Sequence, residues 1–154
     1  MLVGVISDTH GLLRDEALAA LAGVEHILHA GDVGDAKILQ ALRKIAPVTA
    51  IRGNVDTRGP CALLPPTDSV DLAGKLFYLV HSVHDLDVAP EVAGIAVVVS
   101  GHSHQPGVEM RNGVVYLNPG SAGPRRFKLP VSLALVTVDS GITARIIELN
   151  VQAR

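Results

Sequence analysis

The chain has 154 residues, close to one domain's length, with 48% hydrophobic and 18% charged residues and a mean hydropathy of +0.36. That is too apolar for disorder, and the formal net charge of −2 gives no basic field for nucleic acid or an anionic membrane. Aromatic residues are 3% with no Trp, so a base-stacking platform is unsupported. The longest stretch without Asp, Glu, Lys or Arg, Val92–Val108, loses its apolar character after Ser100. It falls short of the ~20 apolar residues that span a bilayer, so no transmembrane helix is expected. Met1–Asp8 lacks a basic stretch and does not read as a signal peptide. The single cysteine, Cys61, cannot form an internal disulfide, which points to a reducing, cytoplasmic location.

In chain order, MLVGVISD opens as a buried strand ending in a carboxylate. Asp15 to Leu21 reads as a helix with an acidic N-terminal cap, and Glu25–Ala30 as a second strand. Asp35 caps a helix with Ile38, Leu39, Leu42 and Ile45 on one face, which Pro47 stops. Val48–Arg52 is a third strand, and the proline-rich Gly59–Pro66 an irregular loop. Ser69–Leu72 and Lys75–Val80 form a hairpin around Ala73-Gly74. Ala89–Val92 is one helical turn, and Ile95–Ser100 a central strand. Asn112-Gly113 turns Val108–Arg111 into Val114–Leu117, and Asp139-Ser140-Gly141 turns Val131–Val138 into Ile142–Leu149. Strand–helix alternation followed by hairpins predicts an α/β protein with mixed sheets covered by helices. A single domain over residues 1–154 is expected, with no room for a cap domain.

Five of these strands end on polar residues: Asp8-Thr9-His10, Gly31-Asp32, Gly53-Asn54, His81, and Gly101-His102-Ser103-His104. Open α/β sheets bind ligands beyond the carboxyl ends of their strands, so these ends should cluster. Carboxylate, amide and imidazole donors together suit Mn, Fe or Zn better than an all-oxygen Mg or Ca site. Asp8 with His10, and His102 with His104, are two apart and point to the same side of an extended chain. Seven donors exceed one tetrahedral site and suit two ions about 3.5–4 Å apart that share a carboxylate.

In this order the motifs resemble the calcineurin-like metallophosphoesterases. The short chain and Asn118-Pro119-Gly120-Ser121 resemble their small bacterial and archaeal phosphodiesterase branch. The resemblance implies a two-sheet α-β-β-α sandwich with helices on its outer faces. It implies that Asp8, His10 and His104 hold one divalent metal, that Asn54, His81 and His102 hold a second, and that Asp32 bridges them. Mn2+ comes first as the metal, with Fe, Zn and Ni as alternatives. The implied reaction is hydrolysis of a small phosphodiester by a metal-bridging hydroxide, with Asp32 and Asn54 in the catalytic centre. Where many members read Gly-Asn-His-Asp, this chain has Gly53-Asn54-Val55-Asp56, so the usual proton donor is missing. That departure fits the small branch and a preference for good leaving groups, and His84 is a candidate replacement donor.

Several residues carry plainer readings. His29 is expected to be a buried histidine bonded to backbone, or else a partner of a metal ligand. His26 reads as partly exposed. Asp35 reads as a helix cap, Asp56 as a turn residue that could orient Asn54, and Arg52 as a surface ion-pairing residue, with a reach to phosphate as the alternative. Asn118–Ser121 reads as a structural turn with its backbone near the metals, with part of the active-site floor as the alternative. Arg125, Arg126 and Lys128 read as a solvated loop, with recognition of a substrate phosphate or nucleic-acid end as the alternative. Cys61 has no activating neighbour. The competing function is a protein-assembly scaffold, as in the retromer subunit of this fold, but all seven ligand positions here carry competent donors. The His-x-His-x-Asp-His run of metallo-β-lactamases and the opening His-x-His of amidohydrolases are both absent. An exposed edge strand or hairpin offers a route to a homo-oligomer.

Overall fold

The computed structural model describes residues 1–126 and 128–151; Phe127 and the last three residues of the expected 1–154 domain lie outside it. The first sheet contains β1 (Leu2–Ile6), β2 (His26–His29), β3 (Val48–Ala50), β9 (Ser132–Val138) and β10 (Ile142–Glu148) in the order β10-β9-β1-β2-β3. The second contains β4 (Thr67–Leu72), β5 (Lys75–Val80), β6 (Ile95–Val99), β7 (Gly107–Arg111) and β8 (Val114–Asn118) in the order β4-β5-β6-β8-β7. β1, β2 and β3 run parallel, as do β5, β6 and β8, while the hairpin partners and the β1–β9 pair are antiparallel. The mixed two-sheet sandwich expected from the family resemblance is present.

Alternation along each strand divides the core. Val3 and Val5 of β1 face the second sheet, meeting Phe77, Leu79, Val97 and Val99, whereas Ile6 faces α1 (Asp15–Ala20) and α2 (Ala36–Arg43). Both helices lay Ala17, Ile38, Leu39 and Leu42 on the outer face of the first sheet. Beside the second sheet the only α-helix among the described residues is α3 (Pro90–Ala93), a single turn that leads into β6.

Local chemistry accounts for the boundaries. The Asp35 carboxylate accepts from Lys37 N–H at 2.9 Å and caps α2. At α1 the capping position belongs to Arg14, with no side-chain bond. Asp15 lies inside the first turn and acts through the helix dipole instead. α2 closes at Arg43, before Pro47; Ile45 then bonds Leu42 O in a tighter turn and still packs on the core. β3 stops at Ala50, because Arg52 N–H turns away to Pro65 O. Pro60–Leu63 winds into a 3-10 turn within the proline-rich loop. Ala73-Gly74 and Asn112-Gly113 all have φ between 50° and 84°, as two-residue hairpin turns require.

Candidate metal centre

The parallel strands deliver their carboxyl ends to one rim of the sandwich, where the polar motifs meet. One ligand atom each from Asp8, His10 and His104 lies within 4.8 Å of the others, and the same holds for Asp32, His81 and His102. The two groups adjoin. Asp32 Oδ2 is 3.2 Å from His81 Nε2 and 3.6 Å from His10 Nε2, so this carboxylate faces both. Asp8 Oδ1 lies 3.4 Å from His104 Nε2, 3.6 Å from His10 Nε2 and 3.9 Å from His81 Nε2. Asn54 is exposed on the turn after β3, on the Asp32–His81 side.

Five of these candidate ligands have left-handed backbone: Asp8 at φ 56°, His10 at 47°, Asp32 at 55°, His102 at 71° and His104 at 62°. Each such non-glycine residue costs about 1–3 kcal/mol and persists only where surrounding bonds hold it. Around Asp8 those bonds are dense. Ser7 Oγ donates to Asp8 Oδ2 at 2.6 Å, His102 N–H donates to the same oxygen at 3.0 Å, and Ser121 Oγ donates to Asp8 O at 2.9 Å. Thr9 Oγ1 donates to Val33 O at 2.8 Å and lies 3.0 Å from His29 Nε2. Gly101 permits this packing, since a Cβ there would strike Ser7 Oγ and Asp8 Oδ2. Gly53 does the same for Asp32.

The Asp32 loop is tied to the Asn54 turn by Asp56. This buried carboxylate accepts from Val33 N–H at 3.1 Å, Gly34 N–H at 3.0 Å and Gly53 N–H at 2.8 Å. Val55 N–H in turn donates to Asp32 Oδ1 at 3.0 Å. Asn118 secures the His102–His104 loop, donating Nδ2 to Gly101 O and Ser103 Oγ at 3.1 Å. Its Oδ1 accepts from Gly120 N–H at 2.9 Å, so Asn118–Ser121 is a turn that also braces the His102–His104 loop.

Electrostatics fit a cation site. Burial alone would raise the Asp32 pKa, but the contact with His81, the Val55 N–H and the nearby imidazoles outweigh it and hold the carboxyl well below its usual range. Burial pushes His81 down, yet Asp32, the Ala30 carbonyl and Asp8 more than offset it, and the net direction is up. Burial dominates at His104 and lowers its pKa, with the Arg126 charge adding to the effect against the opposing pull of Asp8. His81 Nδ1 donates to Ala30 O at 2.7 Å, which leaves the Nε2 lone pair directed at the site. Asp8 Oδ1 and His81 Nε2 are buried without a hydrogen-bond partner, as metal-ligating atoms are. The donor set therefore fits divalent cations.

A match to the calcineurin-like phosphoesterase superfamily domain covers residues 1–141. The chain belongs to this superfamily of hydrolases acting on phosphoester bonds. A probable metallophosphoesterase of Methanothermobacter thermautotrophicus is 34% identical, over 96% of this chain and 92% of that protein. The phosphodiesterase YfcE of Escherichia coli is 29% identical, over 86% and 85%. Among solved structures, an archaeal phosphodiesterase superposes with a TM-score of 0.82 at 22% identity, covering 97% of this chain and all of that one. Vps29 of Chaetomium thermophilum gives 0.77 at 18% identity, over 96% and 97%. At such identities the superpositions speak for the fold.

Other singled-out residues take varied places in this phosphoesterase. His84 is exposed in the 3-10 turn Val83–Asp85, without a hydrogen bond to the ligands among the described residues. His26 is half-buried against Thr49 Oγ1 at 2.8 Å. Arg52 donates to Leu64 O at 2.8 Å in place of the expected ion pair. Arg125, Arg126 and Lys128 are exposed, with Arg126 near enough to act on His104. Cys61 is buried, and burial with Asp56 and Asp35 raises its thiol pKa, away from nucleophilic use. The supporting roles of Ser7, Thr9 and Ser121 carry no sequence signal beyond their nearness to the motifs. No helix among the described residues is long and apolar enough to cross a membrane.

Proposed function

We propose that the chain is a dinuclear metal-dependent phosphodiesterase. Asp8, His10 and His104 hold one divalent cation, Asn54, His81 and His102 hold the other, and Asp32 is shared. The observation that carries this reading is the convergence of Asp32 Oδ2 on imidazoles of both groups, at 3.2 and 3.6 Å. When bound, the cations would lower the pKa of a water so that a nucleophile exists at neutral pH, and would offset the negative charge developing on the phosphoryl oxygens. Mn2+ suits the mixed carboxylate–imidazole–amide set, with Fe, Zn or Ni as alternatives.

The chain's own contribution is rigidity and charge. The Asp8, Asp32 and His102–His104 turns are locked before substrate arrives, so the phosphoryl group meets a fixed array. Val55 presents a hydrocarbon side chain at the position where a proton donor would serve the leaving group. The reading therefore favours diesters with acidic leaving alcohols, and His84 is the candidate donor for less acidic ones. Its removal should then slow alkyl esters more than nitrophenyl esters. Cys61, buried and reduced, fits a cytoplasmic location.

Metal-stripped protein assayed on a chromogenic diester and its monoester, with Mn2+, Zn2+ or Mg2+ restored, tests the proposal. Diesterase activity that returns with metal and disappears in Asp32→Asn and His102→Ala supports it. The competing scaffold reading draws on the shared fold with Vps29. Two bound ions without turnover on either ester would favour it.

A further inference from the structure

A cleft of about 440 Å³ opens from the second ligand group. Asn54 and His81, which the phosphodiesterase reading gives to the second cation, are part of its lining. The same lining holds Asp85, Asp87, Arg52, Pro66 and Val80. Neither Asp85 nor Asp87 forms an ion pair among the described residues. The volume lies in the range of small-molecule sites.

Resting on the phosphodiesterase reading, we propose that this cleft is a subsite for one ester arm of the substrate, and that the arm carries vicinal hydroxyls, as in a glycerol ester. A phosphoryl group beside the second cation site leaves one arm to enter the cleft. Its carbons would pass Pro66 and Val80, and its hydroxyls would reach the carboxylates. A hydroxyl both donates to a carboxylate and accepts from a guanidinium, so it suits a lining that holds Asp85, Asp87 and Arg52 together. An aminoalkyl arm is the competing occupant, since the lining holds two carboxylates and one guanidinium, and the binding test separates the two. A nucleobase would find no Phe, Tyr or Trp to stack on in this lining.

The test is calorimetric binding to the manganese-loaded protein of glycerol 1-phosphate, propyl phosphate and 2-aminoethyl phosphate. These share the phosphoryl group and differ only in the arm. Glycerol 1-phosphate is expected to bind roughly tenfold tighter than propyl phosphate, the worth of a hydroxyl–carboxylate bond. Asp85→Ala and Asp87→Ala, both at exposed positions, should each shrink that ratio. Equal affinities, a ratio untouched by both substitutions, tighter binding of the aminoethyl ester, or no binding of any of the three would overturn the proposal. The ranking is read without turnover. An inactive protein in the diester assay, which counts against the proposed reaction, is thus a separate result.

Discussion

His29 Nε2 lies 3.0 Å from Thr9 Oγ1, joining the end of β2 to the residue between Asp8 and His10. The imidazole is fully buried, and its Nδ1 accepts from Gly31 N–H at 3.2 Å. The proton therefore sits on Nε2, which donates to Thr9 Oγ1, and that hydroxyl donates onward to Val33 O. The relay pins a turn whose flanking ligands are both left-handed. Thr9→Val keeps the shape and removes the relay. It should weaken the first cation site about 10–100-fold, as loss of a partner behind a metal ligand does. Thr9→Ser should retain most of the affinity. Calorimetric Mn2+ titration of both variants checks this, and equal affinities for valine and serine would refute it.

The same histidine makes stability depend on pH. Burial pushes its pKa down to about 4, against the opposing charge of Asp56 and with smaller contributions from His81, Asp32 and His10. The folded protein thus resists a proton that the unfolded chain accepts near 6.5. The contribution of neutral His29 is whole above pH 6.5 and drains away as pH falls toward 4, by up to about 3 kcal/mol. Urea unfolding of metal-free protein and of His29→Gln across this window should show a shallower loss for the variant.

Asp56 accepts three backbone N–H bonds from two loops, and an amide in its place offers one acceptor oxygen and an unwanted donor. Asp56→Asn should cost about 3 kcal/mol of stability. It should also weaken the second cation site, since Gly53 precedes Asn54 and Val33 follows Asp32. A lowered urea midpoint with unchanged metal affinity would confine Asp56 to a stabilising role.

Val55 is 49% exposed beside Asn54, so the position has room for a larger polar side chain. Val55→His should raise turnover of alkyl phosphodiesters by about 10²-fold, the scale of general acid catalysis. Nitrophenyl diesters, whose leaving group needs no proton, should change little. The slope of log kcat/KM against leaving-group pKa reads the difference directly.

Much of the fold follows from local pattern. The Asp35 cap and the Ala73-Gly74 and Asn112-Gly113 turns depend on residues a few positions apart, and each forms where the sequence places it. Boundaries tied to distant contacts were less legible, as at β3, which Arg52 leaves for Pro65, and α1, where Arg14 takes the cap position while its side chain donates to Gly123 O.

The candidate site divides along the same line. By itself the sequence determined that five strands end in carboxylate, amide or imidazole, because that follows from hydrophobic runs and the residues ending them. Only the tertiary structure decided that Asp8 stands with His104 and Asp32 with His81. It alone revealed that Ser121 braces Asp8 across 113 positions, that Asp56 ties two loops, and that Asp85 and Asp87 line a cleft beside the ligands. Hydrogen bonds and shared ligation act within about 3–4 Å of space, whereas hydrophobic periodicity is written along the chain.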